Sequence, residues 1–154
     1  PRRINHARMG EAILLGRETT HRNAWPDTFQ DAFVLNAEVL EIKRKPSIPI
    51  GECAEDAFGN RLKFSDQGNI LRALVNVGRE DVDVAGITPL DPRFSVLGAS
   101  SGYLAVDVSA AEDQLQLGDN IMFSLNYSAL LAAMTSSYVK KHLLKDGTVY
   151  DEKG

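Results

Sequence analysis

The stretch DAFVLNAEVLEIKRKP, residues 31–46, decides the reading of the fold. From Phe33 onward its side chains alternate. Phe33, Leu35, Ala37, Val39 and Glu41 fall on one face, and Val34, Asn36, Glu38, Leu40 and Ile42 on the other. A period of two, carried by branched and aromatic residues, predicts a long strand rather than a helix. Pro46 and Pro49 end it, because proline cannot donate to a ladder.

Strand signals continue on the C-terminal side. AFGNRLKF predicts a hairpin turn at Gly59-Asn60. NILRALVNVG is a continuous apolar run closed by Gly78 and predicts a buried strand. REDVDVAGITPLDPRF is polar, carries two prolines and reads as a long loop, a class that is often functional. SVLGASSGYLAVDVS predicts two short strands around a Gly- and Ser-rich turn, and DQLQLGDNIMFSL a turn followed by a strand. SALLAAMTSSYV is the one helical stretch, centred on Ser128 to Met134, rich in Ala, Leu and Met and free of breakers. On the N-terminal side, INHARMGEAILLG fits the plan poorly. Its apolar run Ala12 to Leu15 predicts a protruding strand that belongs to another element. Short strands separated by turn residues make the domain mainly β, a barrel or a sandwich.

The 154 residues suffice for one domain with a core, and 44% apolar against 25% charged residues is an ordinary globular balance. The net charge of −4 argues against a nucleic-acid surface built on bulk charge. The basic spots EIKRKP and YVKKHLLK read as solvated strand ends. No apolar run approaches the roughly 20 residues that cross a bilayer. The chain starts at Pro1-Arg2-Arg3 without a methionine, which suits a fragment. Cys53 is the single cysteine, so it has no internal disulfide partner and points to a reducing cytoplasm. His6, His21 and His142 have no metal-ligand spacing, and no metal is expected.

The familiar catalytic motifs are absent: no phosphate loop, no Gly-x-Ser-x-Gly elbow, no His-Glu-x-x-His helix. What remains is a set of polar and glycine positions at strand ends: Arg8, Gly10, Arg79, Glu80, Asp81, Ser100, Ser101, Tyr103, Asn126 and Tyr127. Taken singly, each reads as plain structure.

Taken in order, they carry a resemblance. ARMGEAILLG resembles the Arg-x-Gly-Ile-Ala-x-Tyr-Gly turn of the alanine racemase family. DAFVLNAEVLEIKRKPSIPIGE resembles the first strand and loop of that family's C-terminal domain. LVNVGRED, VLGASSGYLAVDV and LNYSALLAAMTS stand where the family has its Gly-Tyr-Ala-Asp-Gly-Tyr, Val-Gly-Arg-x-x-Met-Asp-Gln and Asn-Tyr-Glu segments. GEAILLGRETT, VGREDVD, ITPLDPRF and NYSALLAAMTSSYV are similar to a branch of predicted amino-acid racemases that includes ornithine racemases. The match runs over nearly the whole chain.

The resemblance implies an alanine racemase-like C-terminal β-barrel or sandwich domain. Residues 1–18 would be the last strand of an N-terminal (β/α)8 barrel, and 19–154 the C-terminal β domain. A barrel needs about 250 residues, so it lies outside this sequence. So does the Schiff-base lysine that carries pyridoxal 5′-phosphate, since no segment matches its motif. The implied whole is a homodimeric, pyridoxal-phosphate-dependent racemase of an alanine, ornithine or lysine type of substrate, with an active site shared between subunits. Its partners would be the barrel half of the same protein and a small amino acid, with no nucleic acid and no membrane.

By the same resemblance, Arg8 would face the pyridine nitrogen of the cofactor. A guanidinium keeps its proton in proteins, so it would donate to that nitrogen and leave it unprotonated. Gly10 and Glu11 would offer backbone N–H groups to the phosphate, and Tyr127 its hydroxyl. Arg79 stands where the family has its second-face tyrosine, and arginine is a poor general base. Arg79, Ser100 and Ser101 are therefore substrate-binding candidates, and Asp81 would take a proton or hold a basic side chain. The nearer branch reads Ser-Ser-Asp-His where this chain has Ser100-Ser101-Gly102-Tyr103. Tyr103 takes the histidine position and becomes the candidate second acid/base. These departures keep a second reading open: a non-catalytic relative that binds the cofactor or another ligand.

Overall fold

The computed structural model describes residues 3, 5–48, 50, 51 and 66–151. Cys53 and the turn predicted at Gly59-Asn60 lie outside the described residues. Six antiparallel strands form one sheet, in the order β3 (Ile87–Pro89), β6 (Asn120–Leu125), β1 (Leu35–Pro46), β2 (Asn69–Val75), β5 (Leu104–Asp107), β4 (Ser95–Ala99). The edge strands β3 and β4 approach each other, so the sheet is a nearly closed barrel. The mainly β reading is correct.

The alternation of β1 is realised as predicted over its first half. Leu35, Ala37 and Val39 are buried, while Asn36, Glu38 and Leu40 are exposed. They meet Ala73 and Val75 of β2, Leu104 and Val106 of β5, and Ile121 and Phe123 of β6 in one core. Phe123 is fully buried among them, a position where truncation to alanine costs about 3–5 kcal/mol. The second half departs from strict alternation. A register shift between Val39 and Glu41 inserts one residue, so Ile42 comes opposite Ala73 and packs on the core. A bulge adds a residue and so exchanges the two faces beyond it.

The basic end of β1 is neutralised within the chain. Glu41 pairs with Lys43, and Lys45 Nζ lies 3.7 Å from it, while Arg44 pairs with Glu112. Lys43 holds the Glu41 carboxyl below the usual carboxylate range.

Two predicted elements need correction, and one hairpin was not predicted. The run Ala12 to Leu15 is no strand; it belongs to a short helix, α1 (Glu11–Leu15). Glu, Ala and Leu are good helix formers, and Glu11 sits in the first turn, where a negative charge suits the helix dipole. Gly16 stops α1 at φ 60°, its N–H bonding to the Ala12 carbonyl. The loop read over REDVDVAGITPLDPRF contains a 3-10 turn, Val84–Gly86, and strand β3. Beyond the barrel a hairpin joins β7 (His142–Lys145) to β8 (Thr148–Asp151). Its turn, Asp146-Gly147, has φ 51° and 75°, the paired positive values of a type I′ turn. That Asp-Gly pair was a legible signal passed over by the sequence reading.

The helix predicted around Ser128 to Met134 is α2 (Tyr127–Thr135). Asn126 caps it, accepting from the Ala129 N–H at 2.9 Å.

Candidate functional site

The candidate residues gather in two clusters, one at each end of α2. Tyr127 is the first residue of that helix, and its hydroxyl faces Gly10: a Cβ added to Gly10 would lie 3.7 Å from it. Arg8 and Gly10 line an open cleft of about 300 Å³ together with Glu18, Thr20 and Trp25. The first helical bonds of α1 are the N–H groups of Ile13 and Leu14 donating to the Gly10 carbonyl. The N–H groups of Glu11 and Ala12 therefore precede the intrahelical ladder.

The segment after α1 holds this cleft in shape. The Gly16 carbonyl accepts from Trp25 N at 2.8 Å and from Thr28 Oγ1 and Gln30 Nε2, both at 3.1 Å. The Glu18 carboxylate accepts from the backbone N–H groups of Thr20 (2.7 Å), His21 (2.9 Å) and Asn23 (3.1 Å). Those bonds, led by His21, pull the Glu18 carboxyl below the usual carboxylate range. The Glu11 side chain pairs with Arg22. Both carboxylates near the cleft are thus occupied by local donors. Among the described residues Arg8 has no carboxylate partner, which leaves its guanidinium and the Glu11 and Ala12 N–H groups as the available donors near the cleft. That set suits an anionic phosphate.

At the other end the loop 78–82 lies against the β4–β5 turn. Arg79 N donates to the Ser100 carbonyl at 3.0 Å, Glu80 N to that of Ser101 at 3.1 Å, and Arg79 Nε to that of Ala99 at 3.2 Å. The contact is close enough to require glycine, since a Cβ on Gly78 would sit 2.0 Å from the Ser101 carbonyl oxygen. Ser100 closes the turn, its Oγ accepting from Tyr103 N at 3.1 Å. The Tyr103 side chain is 53% exposed. Asp81 differs from its neighbours: it is 6% exposed, and its Oδ1 accepts from Ser136 Oγ at 2.9 Å.

Arg79, Asp81, Ser100, Ser101 and Tyr103 are therefore brought together, and so are Arg8, Gly10, Glu11 and Tyr127. The first group meets α2 at Tyr127 and the second, through Asp81, at Ser136. Ser136 caps the end of α2 opposite Tyr127, and a rise of 1.5 Å per residue over nine steps gives about 13 Å. The sequence reading did not single out Ser136 or Gly86. Gly86 meets Asn126 so closely that a Cβ would fall 2.2 Å from the amide oxygen. Neither residue type announces such a role, because each is common in turns.

Among the described residues no group of three His, Cys, Asp or Glu could hold a metal ion, and no helix is long and apolar enough to cross a membrane. No family model matches the chain. Two curated relatives do. An ornithine racemase of Acetoanaerobium sticklandii is 42% identical over 144 residues, 94% of this chain and 41% of the relative. A lysine racemase of Thermotoga maritima is 42% identical over 141 residues, 92% of this chain and 40% of the relative. The chain thus spans about two fifths of the length of the curated relatives it matches. With a barrel-like β fold and this identity over more than nine tenths of its own length, the chain is homologous to part of an ornithine racemase and a lysine racemase, which belong to the alanine racemase-like branch.

Proposed function

We propose that the protein containing this chain is a pyridoxal-phosphate-dependent racemase that interconverts the L and D forms of a basic amino acid of the ornithine or lysine class. The observation that carries this is the 42% identity to two racemases over nearly the whole chain. Both relatives are named racemases, so the reading of a non-catalytic relative is not favoured.

The donors Arg8, Tyr127 and the backbone N–H groups of Gly10 and Glu11 would hold the cofactor, the last three at its phosphate. When bound, pyridoxal phosphate delocalises the charge left at Cα once its proton departs. Arg8 would donate to the pyridine nitrogen and keep it unprotonated. The lysine that carries the cofactor would come from the barrel half. Leu131 and Met134, each about half exposed on α2, border a groove with Leu14 and Phe33, an apolar surface that suits contact with that half.

The Arg79 and Ser100–Tyr103 end would serve the amino acid, with Tyr103 as the second acid/base. As the family resemblance implies, the centre would be shared, with one protomer supplying the Tyr127 end and its partner the Tyr103 end of each site in a homodimer.

The test is racemisation of ornithine and lysine by the full-length protein, followed by polarimetry. A companion experiment co-expresses Arg8→Ala and Tyr103→Phe chains. If the centre is shared, mixed dimers regain one intact centre and activity returns. Activity that stays absent in the mixture would place both ends in one protomer's centre.

A further inference from the structure

We propose that Asp81 and Ser136 are a positioning pair, which fixes the far end of α2 and thereby the placement of Tyr127 at its near end. The inference rests on the racemase reading and assigns Asp81 a task other than acid/base chemistry. A group that exchanges a proton with substrate must reach it. Asp81 is buried and turned inward, Oδ1 on Ser136 Oγ and Oδ2 3.4 Å from the Gly78 N–H.

Every polar group of Ser136 is engaged. Its N–H donates to the Ala132 carbonyl at 2.9 Å, its Oγ also accepts from Tyr138 N at 3.1 Å, and its carbonyl accepts from Lys141. At the near end Asn126 N donates to the Gly86 carbonyl at 2.7 Å. Both ends of α2 are thus fastened to one short segment, at Asp81 and at Gly86. That segment begins with the residues that grip the Ser100–Ser101 backbone. A short helix strapped at both ends moves as a unit. Releasing one strap lets the other end shift, and a misplacement of about 1 Å can cost about 100-fold in rate.

The experiment uses the full-length, cofactor-loaded protein and the variants Ser136→Ala, Ser136→Thr and Asp81→Asn. The asparagine keeps an acceptor for Ser136, and the threonine keeps the hydroxyl. If the pair positions, Ser136→Ala lowers kcat about tenfold and Asp81→Asn only about threefold, Ser136→Thr restores the rate, and the kcat–pH profile keeps both limbs. Hydrogen exchange at the Ala129 and Leu130 amides, at the opposite end of α2, speeds up in Ser136→Ala. The pair is overturned if Asp81→Asn abolishes turnover or removes a limb while Ser136→Ala is silent. Unchanged exchange at Ala129 and Leu130 overturns it equally. A wild-type protein that does not racemise would count against the racemase reading alone, since the exchange measurement still decides the pair.

Discussion

The two ends of α2 are built by different means. At the Tyr127 end, side chains and one open cleft do the work: Asn126 caps the helix, Tyr127 faces Gly10, and Arg8 stands in the cleft wall. At the Ser136 end, main chain lies on main chain, with Gly78 pressed against Ser101 and Asp81 buried beneath. The first arrangement leaves room for a ligand. The second is closed between Gly78 and Ser101 and offers a ligand only its outer surface, where Tyr103 is exposed. A binding surface and its support thus share one nine-residue helix.

The largest effect should come from the tightly packed end. Gly78→Val introduces branches where even a Cβ would be 2.0 Å from a carbonyl oxygen. Overpacking of this kind costs about 1–3 kcal/mol, at the upper end where the neighbour is backbone. Urea unfolding of the full-length protein measures it, and a variant as stable as wild type would break the contrast between the ends. Next is Tyr127→Phe, which on the proposed function would remove a hydrogen bond to the cofactor phosphate. It should weaken pyridoxal phosphate about 10- to 100-fold while leaving unfolding nearly unchanged. Equilibrium dialysis reads the first and thermal unfolding the second.

Asn126→Ala removes the cap of α2 and should cost about 1 kcal/mol of stability. It should also loosen the adjacent Tyr127, visible as weaker cofactor binding. The smallest effect belongs to the turn around Glu18. Its carboxyl is held below the ordinary carboxylate value, chiefly by the His21 N–H. The contribution of the ionised form is complete above that ordinary value and is lost as pH falls through the lowered one. Amide exchange at His21 and Asn23 should therefore accelerate in acid, and Glu18→Gln should show the fast rate at neutral pH. Equal rates in both proteins at neutral pH would separate the cleft's shape from Glu18.

The strand reading of residues 31–46 succeeded because a half-buried strand writes its environment into every second residue. Other signals found the rest: a continuous apolar run for β2, short runs beside turn residues for β5 and β6, and Ala, Leu and Met without breakers for α2. The strand reading failed at Ala12–Leu15, where four residues are too few to distinguish periods of 2 and 3.6. Gly10 and Gly16 were visible on either side, and so was the helix-forming composition between them. Of the candidate site, Arg8, Gly10, Glu11, Tyr127, Arg79, Ser100, Ser101 and Tyr103 were found only because ordered motifs resemble a family. Ser136 was passed over because a serine after a helix is unremarkable until Asp81 is seen beside it.

The sequence by itself determined β1, β2, β4, β5 and β6, the principal helix, the core face of β1 and the family resemblance, because periodicity and motif order are local or one-dimensional properties. Only the tertiary structure decided that a bulge past Val39 turns Ile42 inward, that Asp81 and Ser136, 55 positions apart, share a hydrogen bond, and that the candidate residues divide between the two ends of α2. Such facts depend on which surfaces meet after the chain closes. A residue's neighbours in space are set by packing across the barrel, and that leaves no periodic trace along the chain.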